Sequence, residues 1–170
     1  MFAIPMAKIK ASIPLPLTND FSSRSIRDDI ASHRISNFDQ KPATAGARQS
    51  ARLRMILPLH KSAEATLHRM FNAMQPGTNI PPHRHFCPPK PESILVLRGS
   101  MCFINFDDSG QVEQMIDVTA GSEVFGIDIE PGIFHTFLIL EPDTVMYEVK
   151  PGPYSPIDDK DFATWAPREG

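Results

Sequence analysis

Between about residue 66 and residue 150 apolar side chains come in short runs, broken at close intervals by glycine, proline or aspartate, which is the pattern of an all-β sandwich or barrel. Read by its period of two, this pattern predicts strands over roughly 66–75, 80–86, 92–98, 101–107, 112–118, 123–129, 133–140 and 144–150. The stretch Phe106-Asp107-Asp108-Ser109-Gly110-Gln111-Val112 joins two of them as a hairpin, with Gly110 able to take a positive φ. Pro76-Gly77 and Glu141-Pro142-Asp143 mark further turns. Two strands are apolar on both faces. Ile94 and Val96 share a face with Glu92 while Leu95 and Leu97 take the other, and His135, Phe137 and Ile139 oppose Phe134, Leu138 and Leu140. An antiparallel sheet with one wet face would alternate more cleanly. The second face is therefore expected to be covered, by the N-terminal segment or by a second copy of the chain, and a homodimer is the favoured arrangement.

Residues 1–50 keep neither a period of two nor one of 3.6. A short helix is expected at Ser25-Ile26-Arg27-Asp28-Asp29-Ile30-Ala31, and Gln40-Lys41-Pro42-Ala43-Thr44-Ala45-Gly46 reads as a linker, with proline and glycine framing small residues. The boundary then falls near 46–52, giving an N-terminal extension over 1–50 and one domain over 51–170. At the other end, the segment 158–165 is expected to form a short helix with Phe162 and Trp165 on one face.

The chain has 170 residues, enough for one domain with its own core. Its 17 basic and 20 acidic side chains leave a net charge of -3, so there is no large single-sign field. Nucleic acid and anionic membrane are thereby excluded as main partners, and a small-molecule ligand is expected. No apolar run approaches the ~20 residues of a membrane span. The first residues lack the charged start and apolar core of a signal peptide, so a cytoplasmic location is expected. Cys87 and Cys102 are too few for a disulfide framework and read as reduced thiols.

Chemistry concentrates in Gly77-Thr78-Asn79-Ile80-Pro81-Pro82-His83-Arg84-His85, followed by Glu92 and Gly99 and later by Gly132-Ile133-Phe134-His135. His83 and His85 are two apart on a predicted strand and project the same way, so both can hold one ion. Three neutral imidazoles and one carboxylate, His83, His85, His135 and Glu92, suit one divalent first-row metal ion, with zinc, iron, manganese and nickel all admissible. Four protein ligands could close a structural zinc site, whereas an octahedral ion would keep two positions for water or substrate. Cys87 is the rival to Glu92 for the fourth place, since it continues the parity of His83 and His85. Lys90, Arg69, Phe137 and Glu148 are weaker candidates for binding a substrate. Lys90 lies in the loop leading to the metal, and Arg69 and Asn72 have opposite parities and cannot both face the interior without a bulge. Arg48, Arg52 and Arg54 read as a solvated face. His33, His60 and His68 match no ligand spacing.

These residues resemble the cupin superfamily. Gly77 and His83 have the five intervening residues of its first motif, and Glu92 and Gly99 the six. Between His85 and Glu92, however, six residues stand where three or four are usual, and Pro131 sits next to Gly132 in the second motif rather than one residue before it. A closer resemblance is to the WbuC-type cupin metalloproteins, small bacterial proteins often encoded among genes for surface-polysaccharide assembly. It runs through Arg69-Met70-Phe71-Asn72-Ala73, Pro82-His83-Arg84-His85, Glu148-Val149-Lys150-Pro151-Gly152-Pro153-Tyr154 and Asp159-Lys160-Asp161-Phe162-Ala163-Thr164-Trp165. The resemblance implies a single cupin β-barrel, a jelly-roll of two antiparallel sheets, with a short helical N-terminal arm and a C-terminal tail. It also implies a bound metal ion, and leans toward a sugar or nucleotide-sugar ligand. Iron-dependent dioxygenase activity, or a non-catalytic sugar- or metal-binding module, are the alternatives.

Overall fold

The computed structural model describes residues 35–157 and 159–167. Helix α1 (Asn37–Gln49) precedes ten strands: β1 (Arg54–Pro58), β2 (Leu67–Met74), β3 (His83–Arg84), β4 (Glu92–Arg98), β5 (Ser100–Phe106), β6 (Val112–Thr119), β7 (Gly126–Ile129), β8 (Phe134–Ile139), β9 (Thr144–Pro151) and β10 (Asp161–Phe162). They form two five-stranded antiparallel sheets, ordered β1-β2-β9-β4-β7 and β10-β3-β8-β5-β6, the jelly-roll arrangement expected from the sequence. The hairpin expected at Gly110 is present. Its φ is 87°, and Asp107 Oδ1 accepts the backbone N–H groups of Ser109 and Gln111 at 2.8 and 2.9 Å.

Inward-facing side chains change character along each strand. On β4 they run Glu92, Ile94, Val96, and on β8 His135, Phe137, Ile139. Strand β9 runs antiparallel to β4, and passes from Met146 to Glu148 and Lys150. One end of the interior is therefore apolar, filled by Met74, Val96, Met101, Val118, Ile139 and Met146, while the other is charged. Burying each such apolar side chain contributes roughly 1.5–3 kcal/mol, so the apolar end carries stability and the charged end must have another purpose.

The segment expected to be a linker, residues 40–46, lies inside α1. Ser36 N–H donates to Asp39 Oδ2 at 2.9 Å and Asp39 N–H to the Ser36 carbonyl at 3.1 Å, which satisfies backbone groups at the helix start. Pro42 removes one internal hydrogen bond, and the helix is held by packing instead. Ala43 and Ala47 are buried against Phe71, Ala73 and Val145 on the outer face of β2 and β9. The compact unit accordingly begins at Ile35. The helix expected over residues 25–31 lies outside the described residues.

Three other differences have local causes. The predicted strand over 80–86 shrinks to His83–Arg84, since Pro81 and Pro82 have no N–H to give a ladder. Edge strand β1 shows no inside-outside alternation and escaped the period of two. The helix expected over 158–165 is instead a two-residue strand, β10, paired to β3, because Asp161 bonds Arg84 Nε at 2.7 Å and Phe162 stands opposite His83. Trp165 caps a core edge, its ring 5.2 Å from Phe106 and 5.9 Å from Phe134. Outside the area covered by α1, Leu95, Leu97, Leu138 and Leu140 remain exposed on the outer faces. Among the described residues no helix is long and apolar enough to cross a membrane.

Candidate metal centre

Four strand ends build the charged end of the barrel. His83 opens β3 and stands directly opposite His135 on β8, and Glu92 is the first residue of β4. His85 follows β3, and its carbonyl accepts from Gly132 N–H at 3.1 Å and, at a longer 3.5 Å, from Lys90 N–H. The extra residues between His85 and Glu92 are thereby taken up in a closed turn, and Glu92 returns to the cluster despite the stretched spacing. His83, His85, Glu92 and His135 are all buried. His83, His85 and Glu92 each offer one ligand atom within 4.8 Å of the others, and His135 Nε2 lies 3.1 Å from Glu92 Oε2.

The tautomers follow from the backbone. Nδ1 of His83 faces the Pro81 carbonyl at 3.0 Å, Nδ1 of His135 faces the Ile133 carbonyl at 2.9 Å, and Nδ1 of His85 contacts the Asp159 carbonyl. A carbonyl can only accept, so each Nδ1 carries the hydrogen and each neutral ring turns the lone pair of Nε2 inward. His85 Nε2 lies 3.1 Å from Glu92 Oε1, matching His135 on the other oxygen, yet neither nitrogen makes an aligned hydrogen bond among the described residues. Acceptor faces acceptor in a buried place. That arrangement is costly unless a cation sits between them. The donor set and its orphaned nitrogens therefore fit a divalent metal ion, and backbone carbonyls holding Nδ1 are the usual outer partners of metal-bound histidine.

Electrostatics agree. Burial, followed by the charge of Lys160, holds His83 well below the ordinary histidine range, so no proton competes for it. Burial alone would raise Glu92. The charge of Lys150, 3.4 Å from Oε1, opposes that, and the carboxyl sits well below its usual value.

Behind the cluster lies a buried charge network. Lys150 Nζ is 3.4 Å from Glu92 Oε1, 3.4 Å from Glu148 Oε1 and 3.3 Å from Asp159 Oδ2. Lys90 Nζ donates to Asp159 Oδ1 at 2.9 Å and to the Pro153 carbonyl at 2.7 Å. Asn72 donates to Glu148 Oε2 at 2.5 Å. Burial would lower Lys150, but Glu148, Glu92 and Asp159 together raise it above the ordinary lysine range. Glu148 is pushed up by burial and by Glu92's charge.

Among the substrate candidates, Lys90 is thus a buried structural cation and no free anion site. Arg69 is exposed on the opposite face from Asn72. Phe137 is a buried core residue whose ring lies 5.6 Å from His135, and Glu148 joins the network. Cys87 is exposed, and Glu92 takes the place beside the histidines. Asp159 is the residue that sequence reasoning missed. It touches His85 through its carbonyl and two lysines through its carboxylate, and the one hint was its position in the charged Asp159-Lys160-Asp161 run of the tail.

A family model described as "Domain of unknown function (DUF6016)" matches residues 35–118, from α1 into β6. None of the curated proteins matches the sequence significantly. Among solved structures, capsular polysaccharide assembling protein CapF from Staphylococcus aureus aligns at 20% identity with a TM-score of 0.53, over 66% of this chain and 32% of that one. Oxalate oxidase in complex with the substrate analogue glycolate aligns at 15% identity with a TM-score of 0.50, over 66% of this chain and 56% of that one. The chain spans about half of the oxalate oxidase chain and about a third of CapF. At these identities the likeness is one of fold.

Proposed function

On the premise of a cupin fold with a buried cluster of three histidines and a glutamate, we propose that the protein binds one divalent metal ion. Its ligands are His83, His85, Glu92 and His135, and it acts on a small oxygenated metabolite such as a sugar or nucleotide-sugar derivative. The observation that carries the reading is the pair of orphaned Nε2 atoms of His85 and His135 facing a carboxylate that cannot donate to them. When bound, such an ion polarises a hydroxyl or carbonyl oxygen. The chain's own residues prepare for it. Backbone carbonyls fix the three tautomers, Lys150 steadies Glu92, and the apolar end of the barrel keeps water out from below. The saccharide part rests on the resemblance of the C-terminal segments to WbuC-type proteins and on the name of CapF, and so on likeness alone.

Elemental analysis of tag-free protein purified anaerobically, beside His135→Ala, tests this. Near-stoichiometric metal in the wild type and its loss in the variant are expected. Iron accompanied by oxygen uptake would replace Lewis-acid chemistry with an oxygenase, and a metal-free wild type would overturn the metal centre.

A further inference from the structure

Strand β10 pairs with β3 in the register Asp161 to Arg84 and Phe162 to His83. Side chains alternate along a strand. Asp161 bonds Arg84, so Lys160 and Phe162 share the other side, and the Phe162 ring lies 6.0 Å from that of His83. The residue before Lys160, Asp159, places its carbonyl on His85. Lys160 therefore stands between two residues that touch candidate metal ligands, and its charge acts on His83, Glu92 and Glu148. Both Lys160 and Phe162 keep exposed surface, whereas the histidines and Glu92 do not.

The cations here differ in their commitments. Lys90 is held by Asp159 and the Pro153 carbonyl, Lys150 by three carboxylates, and Arg84 by Asp161 and Asp108. Lys160 makes no hydrogen bond or ion pair of its own among the described residues. Without metal the local charges balance, with Lys90, Lys150 and Lys160 against Glu92, Glu148 and Asp159. A divalent ion would add two positive charges to this group. Such an excess draws in an anion.

We propose that Lys160 recognises an anionic group on the ligand, and that this ligand carries a carboxylate beside a hydroxyl or carbonyl oxygen, an acidic member of the metabolite class named above. The inference rests on the metal-centre reading. A carboxylate suits a single free ammonium, whereas a phosphate dianion would call for further donors, and the neighbouring lysines are already engaged. The carboxylate and the adjacent oxygen together can chelate one metal ion.

The test uses the full chain loaded with cobalt(II), titrated with L-lactate, with the uncharged propane-1,2-diol and with inorganic phosphate, and followed by calorimetry and visible absorption. Lys160→Gln and Lys160→Arg are compared with the wild type, after the metal affinity of each has been measured. Lactate is expected to bind the loaded wild type at least tenfold more tightly than the diol or phosphate. Lys160→Gln should weaken lactate about tenfold while metal affinity stays equal or tightens, since a like charge has left the neighbourhood of the ion. Lys160→Arg should recover most of the lactate affinity. Diol binding as strong as lactate, phosphate binding more tightly than lactate, or lactate binding unaffected by Lys160→Gln would each overturn the inference with the metal centre intact. Failure of the wild type to take up cobalt would overturn both readings.

Discussion

Replacing Asp159 by asparagine changes almost no volume and keeps the carbonyl that orients His85, so its effect isolates the carboxylate charge. That charge has Lys90 Nζ at 2.9 Å and Lys150 Nζ at 3.3 Å, and all three residues are buried. At an effective dielectric of about 20, attractions over such distances are roughly 5–6 kcal/mol each before desolvation is counted. Removing one partner of a buried pair costs about 3–5 kcal/mol. Here Lys90 keeps the Pro153 carbonyl and Lys150 keeps Glu92 and Glu148, which places Asp159→Asn at the lower end, about 3 kcal/mol. For a chain of this size that lowers the melting temperature by roughly 6–12 °C. Lys150 would also lean more heavily on Glu92, and metal affinity should fall by up to about tenfold. Chemical denaturation and metal titration of the same samples measure both effects. A loss below about 0.5 kcal/mol, the ordinary range for surface substitutions, would refute the buried network.

Glu92→Gln keeps the shape and removes the charge, so metal affinity should drop by more than the 10–100-fold typical of outer partners; an unchanged metal dissociation constant would remove Glu92 from the ligand set. Asp143 ties the β8–β9 turn to α1 through Arg48, whose hydrogen bonds hold its carboxyl down at about 2 against the ordinary 3.8. Because the folded value lies below the unfolded one, this contact is complete above about pH 4 and disappears as pH falls through about 2. Arg48 is largely exposed, so solvent screens the pair and the gain is small, and Arg48→Ala should flatten the acid limb of a stability-versus-pH curve. Gly110→Ala would place a Cβ 2.7 Å from the ring of Trp165 at a φ of 87°. A loss of about 1–3 kcal/mol and a shifted emission from this lone tryptophan are expected, and unchanged fluorescence would show that the tail does not pack there.

The strands were legible because short apolar runs, such as 94–97 in β4 and 137–140 across β8, are punctuated by glycine, proline and aspartate, even where both faces are apolar. The four residues of the metal cluster were legible because each sits at a strand end with turn residues beside it. Helix α1 was not. Pro42 and Gly46 give its sequence the look of a linker, and its stability comes from Phe71, Ala73 and Val145, residues distant in the chain. Asp159 was hidden for a similar reason. An aspartate among charged neighbours reads as solvated until the fold brings Lys90 and Lys150 against it.

The change from apolar to charged side chains along the barrel interior divides labour between the two ends of each strand. Stability resides with Val96, Ile139 and Met146, while chemistry resides with Glu92, His135, Glu148 and Lys150, two or four residues away on the same strands. A lineage can therefore exchange ligands, metal or substrate by altering the first residues of β4 and β8 and the last of β9, with the lower half left as an unaltered foundation. Selection for a new reaction and selection for a folded chain then act on different residues, and drift in one need not be answered in the other.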